Sequence, residues 1–421
     1  MLAWLSAAAA SPLSDIGPAE RGLETAQSQP HAVSRILGTA ADPVTSPTQT
    51  DAIRLASDGD GESESVEVAV SEPKEDDTDA SNEDRESEPK TKWNRITKTD
   101  YEALVNNAAG FGQNTTGGLG GDICRVKTLD NSGGGSLRNC ATRGSRWIVF
   151  DVSGEIVLES VIRIANDTTI DGRGADITIS NRGLSTAGRE NIIIHNVKID
   201  RINGDGIAIY EAKNIWISHV TVGATTDGAI DITGHSLDVT VSWTHLRAQN
   251  KTMLIGNDNS KFEDVVMKVT LHHNWYDNTV RRNPLVRFGK VHMYNNVHTN
   301  WGDEFGEGDA VNSVYRAQLL LESNVYEAGE NKQAVHITVP GWLEVPGYVN
   351  ARGNSPINGA RVFSSQPENV FEANTYYTYR LDVPTSEFAD MVKTYAGWQP
   401  PEFFEGEVFA AEAGARGSDE E

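Results

Sequence analysis

Two arginines five residues apart, Arg282 and Arg287, enclose Asn283-Pro284-Leu285-Val286 within the segment VTLHHNWYDNTVRRNPLVRFGKVHMYNNVHTNW (269–301). Apolar and polar residues alternate on both sides (Val269 and Leu271; Val291 and Met293), so a strand, a bend carrying fixed positive charge and a second strand are expected. The proline restrains the backbone between the two guanidinium groups. Such an arrangement reads as a site for an anion. Upstream, Asp205 in NGDGIAI and Asp227 and Asp231 in TTDGAIDI contribute three carboxylates, and Lys251 in KTMLIG adds a third cation. Ligation by carboxylate oxygens suits a hard cation such as Ca2+. Each residue alone also has a plainer reading, as an acid in a turn or a surface lysine beside it. It is their order along the chain that makes a site.

That order follows from a repeat. NIIIHNVKI, NIWISHVTV, DVTVSWTHL, KVTLHHNWY, KVHMYNNVH and QLLLESNVY begin at 191, 214, 238, 268, 290 and 318, at intervals of 23, 24, 30, 22 and 28 residues. A short strand recurring at this period marks a parallel β-helix or another solenoid, in which no coil closes its own core and stacking supplies it. The fold class is therefore all-β. Asp205 and Asp227 lie 22 residues apart, in nearly equivalent places on adjacent coils, and stacked coils are ~4.8 Å apart. Asp231 would be ~13 Å from Asp227 along a straight strand, so a bend is expected between them, at Gly228. Lys251 follows about one coil later, and Arg282 and Arg287 on the next. Acid, acid, base, base along one face would cradle a polymer bearing carboxylates.

Other features fit the same architecture. Asn196, Asn274, Asn296, Asn324 and Asn374 recur once per coil and suggest an amide ladder. Short helical patterns at Asp100–Asn107 and Ser136–Thr142 suit a cap over the open N-terminal end. The Gly-rich tract 110–121 lacks the GK[ST] of a phosphate-binding loop, and its glycines are expected to serve tight turns.

The chain has 421 residues and a net charge of −24. Residues 1–90 hold 19 acidic and 6 basic side chains, with 14 acids between Asp58 and Glu88, but the remainder is acidic too. Nucleic-acid binding, which needs a basic face, is excluded. Acidic bias with 13 Lys against 23 Arg suits a protein that works in high salt. Without a run of 18 apolar residues, no spanning helix is expected. The start MLAWLSAAAA (1–10) reads as a clipped secretion signal and the protein as extracellular. Residues 11–90 read as a disordered acidic leader, 91–405 as the β-helical domain of a monomer, and 406–421 as an acidic tail. Cys124 and Cys140 are either a disulfide or two free thiols.

From Gly110 to Tyr377 the chain resembles the pectate lyases of polysaccharide lyase family one. The resemblance rests on GFG…TTGGLGG, GSLRNC, IVFDVSGEI, TTIDGRGA, GDGIAI, NIWISH, DGAIDI, KTMLIG, RNPLVRFG and VHMYNN, in that order. It implies a right-handed, single-stranded parallel β-helix and calcium-dependent β-elimination of polygalacturonate. By this resemblance Asp205, Asp227 and Asp231 bind calcium, Lys251 and Arg287 hold substrate, and Arg282 takes the proton from C5. Arginine is a weak candidate base, with an unperturbed pKa of about 12.5, and a purely electrostatic role stays open. Where the family often has Trp-Ile-Asp-His, this chain has Trp216-Ile217-Ser218-His219. Two other readings are a β-helical polygalacturonase-type hydrolase and a non-catalytic carbohydrate-binding β-helix. The first lacks its paired Asp-Asp and Gly-His-Gly here, and the second does not need Arg282.

Overall fold

The computed structural model describes residues 98–341 and 345–405. The expected signal segment 1–10, the leader 11–90 and the tail 406–421 lie outside the described residues. The chain winds as a parallel solenoid, each coil giving one strand to each of three parallel sheets of ten, eight and nine strands. The intervals in the repeat equal the register. Lys213 pairs with Glu190 and Leu237, Val239 with Val269, and Lys290 with Lys268 and Gln318. Alternation sends Ile148, Ile170, Ile194, Ile217, Val241 and Leu271 of the first sheet into one continuous apolar core.

The corner after six of the first-sheet strands is short because one residue adopts left-handed backbone: Asn196, His219, Trp243, His273, Asn295 or Ser323. One position later stands the amide ladder. Asn274, Asn296, Asn324 and Asn354 are linked amide to amide at 2.9, 2.9 and 3.0 Å. Asn196 falls one residue short of this column and bonds Gln399 instead. Asn374 lies in a turn, Ala373–Thr375, off the coils, so Asn354 takes the place assigned to it.

Helix α2 (Leu137–Ala141) buries Leu137, Cys140 and Ala141 in the core and caps the N-terminal end, with Ser136 capping its first turn. Cys140 is joined to Cys124 of the first strand, with their Cα atoms 5.8 Å apart. Helix α1 (Lys98–Asn106) lies elsewhere, against the outer face of the first sheet. There Tyr101 stacks on Trp147 at 3.8 Å, and Leu104 joins Trp147, Ile193 and Trp216. The Gly-rich tract runs along this same face. Phe111, Gly112 and Gly118 donate backbone N–H groups to Thr270, Thr240 and Thr169 at 3.0, 2.9 and 2.9 Å. Gly110 has left-handed backbone (φ 71°), as a turn glycine does, and a Cβ there would also meet Thr270 at 2.5 Å, so close approach of strap to sheet adds a second requirement. Helix α3 (Ser386–Tyr395) packs Phe388 and Val392 against Val297 and Val325 at the corner between the first and third sheets. These coverings lie on the first and third sheets. The candidate residues gather on the second.

Candidate active site

The second sheet includes the strands Ile207–Tyr210, Ile230–Thr233, Leu254–Ile255, Leu285–Val286, Val311–Ser313 and Val335–Ile337. Two columns of residues cross it. Asp231 is in register with Ala208, and the same row continues through Leu254, Leu285, Asn312 and His336. Just before these strands, Gly228 pairs with Lys251 and Lys251 with Arg281. Parallel register thus brings residues from four coils onto one strip, the order inferred from the repeat.

The carboxylates are built around Gly228. Its N–H donates to Asp205 Oδ1 at 2.9 Å. A Cβ added to it would collide with the carboxylate of Asp231, whose Oδ1 accepts the N–H of Leu254 at 3.0 Å. The chain bends at Asp227 and again at Ala229, so Gly228 sits in the bend that Asp231 requires. Burial pushes the Asp231 carboxyl up to about 7, and the charge of Asp205 adds to the shift. Asp205 is raised as well, by burial first and by Asp227. Two half-buried carboxyls whose charged forms are disfavoured by burial and by neighbouring acids are a donor set short of positive charge, which is the chemistry a hard cation satisfies. Asp227 is more exposed and pairs with Lys251 Nζ at 2.9 Å. Among the described residues no three His, Cys, Asp or Glu side chains are gathered into a metal-holding group.

The arginines differ in setting. Arg282, partly exposed, has left-handed backbone (φ 61°) and is followed by a cis Asn283-Pro284 bond. Its carbonyl accepts the N–H of Met253 at 2.6 Å, which fixes it to the preceding coil. Arg287 follows its strand and is clamped. Nε donates to Asn259 Oδ1 at 3.1 Å and one terminal nitrogen to Gly256 O at 3.3 Å. Burial lowers its pKa, and the charge of Arg282 lowers it further. Asn259 lies on a loop that the buried Asp264 holds down by accepting N–H groups of His235 (2.6 Å) and Asn257 (3.4 Å).

Sequence reasoning missed Arg281 and Asn259. Arg281 adjoins Arg282 but takes the place in register with Lys251, and only the pairing shows this. Asn259 sits 28 residues before its partner, in a loop without repeat pattern.

A parallel solenoid whose second sheet presents acids and then cations is the architecture of a polysaccharide-degrading class. The family model for pectate lyase matches residues 103–400, and the chain belongs to the pectate lyase family, whose members are polysaccharide lyases. A probable pectate lyase of Arabidopsis thaliana is 31% identical over 303 residues, covering 64% of this chain and 66% of that protein. A pectate lyase of Juniperus ashei is 31% identical, covering 64% of this chain and 83% of the relative. The crystal structure of the major allergen from cedar pollen superposes with a TM-score of 0.64 at 27% identity, over 73% of this chain and 98% of that one. A pectate lyase solved bound to a hexasaccharide shares the fold (TM-score 0.56, 18% identity, 70% of this chain and 97% of that one).

Proposed function

We propose that the chain is a calcium-dependent pectate lyase acting on de-esterified (1,4)-α-D-galacturonan and yielding 4,5-unsaturated oligogalacturonides. The observation that carries this reading is the strip on the second sheet. Two carboxylates converge on Gly228, and Lys251, Arg282 and Arg287 follow on the next two coils. Asp205, Asp227 and Asp231 would hold the ion. Calcium, when bound, supplies positive charge against the uronate carboxylate as the C5 proton leaves.

The chain's own groups do the rest. Lys251 and the clamped Arg287 bind the carboxylate of the sugar whose C5–H breaks. Arg282, after giving up one guanidinium proton to solvent, receives the C5 proton on the freed nitrogen. The C5–H electron pair forms the C4–C5 double bond, and the C4–O4 bond breaks with O4 leaving on the next sugar. Fixed cations around the developing negative charge cost no reorganisation at the moment of reaction. Work in high salt accords with the acidic composition, and work outside the cell with the signal-like stretch 1–10. Among the described residues no helix is long and apolar enough to cross a membrane.

Polygalacturonate incubated with the full chain, with and without calcium, tests the reading. Elimination gives a conjugated product that absorbs in the ultraviolet. New reducing ends without that absorbance would mean hydrolysis and sink the proposal.

A further inference from the structure

The second sheet continues beyond the arginines. Asn312 is in register with Leu285, and His336 with Asn312. Two rungs therefore separate His336 from the strand between the arginines, ~10 Å along the sheet. Asp309 lies just before the strand that holds Asn312 and is 6% exposed. Its Oδ2 accepts Asn312 Nδ2 at 3.0 Å and stands 3.4 Å from His336 Nδ1. Its Oδ1 is buried without a hydrogen-bond partner. Asn283, next to Arg282, donates to the Asp309 carbonyl at 2.9 Å, which ties this group to the arginine bend.

A buried carboxylate with an unfilled lone pair is costly unless a positive charge faces it. Asn312 is neutral, and its own carbonyl is occupied by the Thr338 hydroxyl at 2.9 Å. The nearby cation Arg361 donates to Gln333 at 2.9 Å. His336 supplies the paired charge, and Asp309 holds its imidazole toward the protonated form. The ring is 51% exposed, so its far nitrogen faces the open surface of the sheet on the row that carries Asp231.

We infer that His336, held by Asp309, which Asn312 positions in turn, forms a further subsite for a carboxylate-bearing sugar, about two sugar residues beyond the one that loses its proton. The inference rests on the galacturonan reading above. The imidazolium donates to a free uronate carboxylate. A methyl ester at this position forfeits the charge, so the subsite selects de-esterified stretches.

The test compares wild type, His336→Ala and His336→Lys on di- and hexagalacturonate. Turnover is followed by ultraviolet absorbance with calcium, and binding by calorimetry without added calcium. His336→Ala is expected to raise KM for the hexamer about five-fold and to weaken its binding equally, with kcat unchanged. The dimer, too short to reach from Arg282, should be unaffected, and His336→Lys should restore the hexamer. Equal effects on both oligomers, or no effect on either, overturns the subsite. If wild type binds hexamer but makes no unsaturated product, the lyase reading fails, and the calorimetric comparison still decides the subsite.

Discussion

The Cβ that Gly228 lacks would occupy space filled by the carboxylate of Asp231, while the N–H of Gly228 holds Asp205. One residue without a side chain thus sets the separation of two acids on adjacent coils. Gly228 is not among the glycines with positive φ, so alanine fits its backbone conformation and only the carboxylate must move. Gly228→Ala should raise the calcium concentration for half-maximal activity about ten-fold while leaving the circular dichroism spectrum unchanged. An unchanged calcium requirement would remove Gly228 from the site.

The raised Asp231 carboxyl gives a pH-dependent stability of definite sign. Its pKa is about 7 when folded, above its ordinary 3.8, so between these values the folded chain binds more protons than the unfolded one. Stability therefore falls as pH rises through that window, and the cost is complete above it. Asp231→Asn keeps an oxygen for the Leu254 N–H and removes the charge. In chelator it should melt several degrees above wild type near pH 8, with the gap closing near pH 4. Calcium should stabilise wild type and leave the variant unmoved. A variant that melts below wild type near pH 8 in chelator would contradict the crowding of Asp231 against Asp205.

Much of this was legible in the sequence because a parallel solenoid converts chain distance into register. The intervals 23, 24, 30, 22 and 28 are the strand pairings themselves, so the placing of Asp205, Asp227, Lys251 and the arginines on successive coils followed by counting, whereas Asp231 needed a bend at Gly228. What failed was whatever depends on a partner far along the chain. The glycines of 110–121 do turn the chain, with positive φ at Gly110, Gly117 and Gly120, but their close approach to the sheet was hidden because the threonine partners of this tract lie 128 and 159 residues away at Thr240 and Thr270. Asn196 looked like a rung of the amide ladder because a one-residue offset past a left-handed corner leaves no local mark. Asn259 and Asp309 carry no motif. Their importance comes from a guanidinium and an imidazole that only the fold brings near.

Asn259 accepts from Arg287 Nε, a bond that fixes the plane of the guanidinium. Asn259→Ala should free the arginine to turn, raising KM for polygalacturonate about five-fold with a smaller change in kcat. Asn259→Asp keeps the acceptor and should recover most of the loss. If both variants match wild type, Arg287 is held well enough by the Gly256 carbonyl.

Far from the strip, Asn296 is fully buried and joins Asn274 on one side and Asn324 on the other. Asn296→Ala leaves neighbouring amides without partners in the core and should cost about 2–4 kcal/mol in denaturant unfolding. Per folded molecule, kcat should be unchanged. A loss of kcat would show that strain passes across the coil to the second sheet.

Lys251 is the converse case. Its ion pair with Asp227 is 2.9 Å long but a third to a half exposed on both partners, and exposed pairs contribute little to stability. Lys251→Ala should therefore leave the melting temperature of the calcium-free chain nearly unchanged. Activity is another matter, because the same ammonium is assigned to the substrate carboxylate at the point where charge develops. Its removal should lower kcat/KM on polygalacturonate about 100-fold or more. Freed of its lysine, Asp227 is also available to the ion, so calcium affinity should rise rather than fall. A variant that loses activity and calcium affinity together would mean that Lys251 organises the acids and does not contact substrate. A loss of activity with tighter calcium binding separates the two roles, because a damaged metal site cannot bind its ion better.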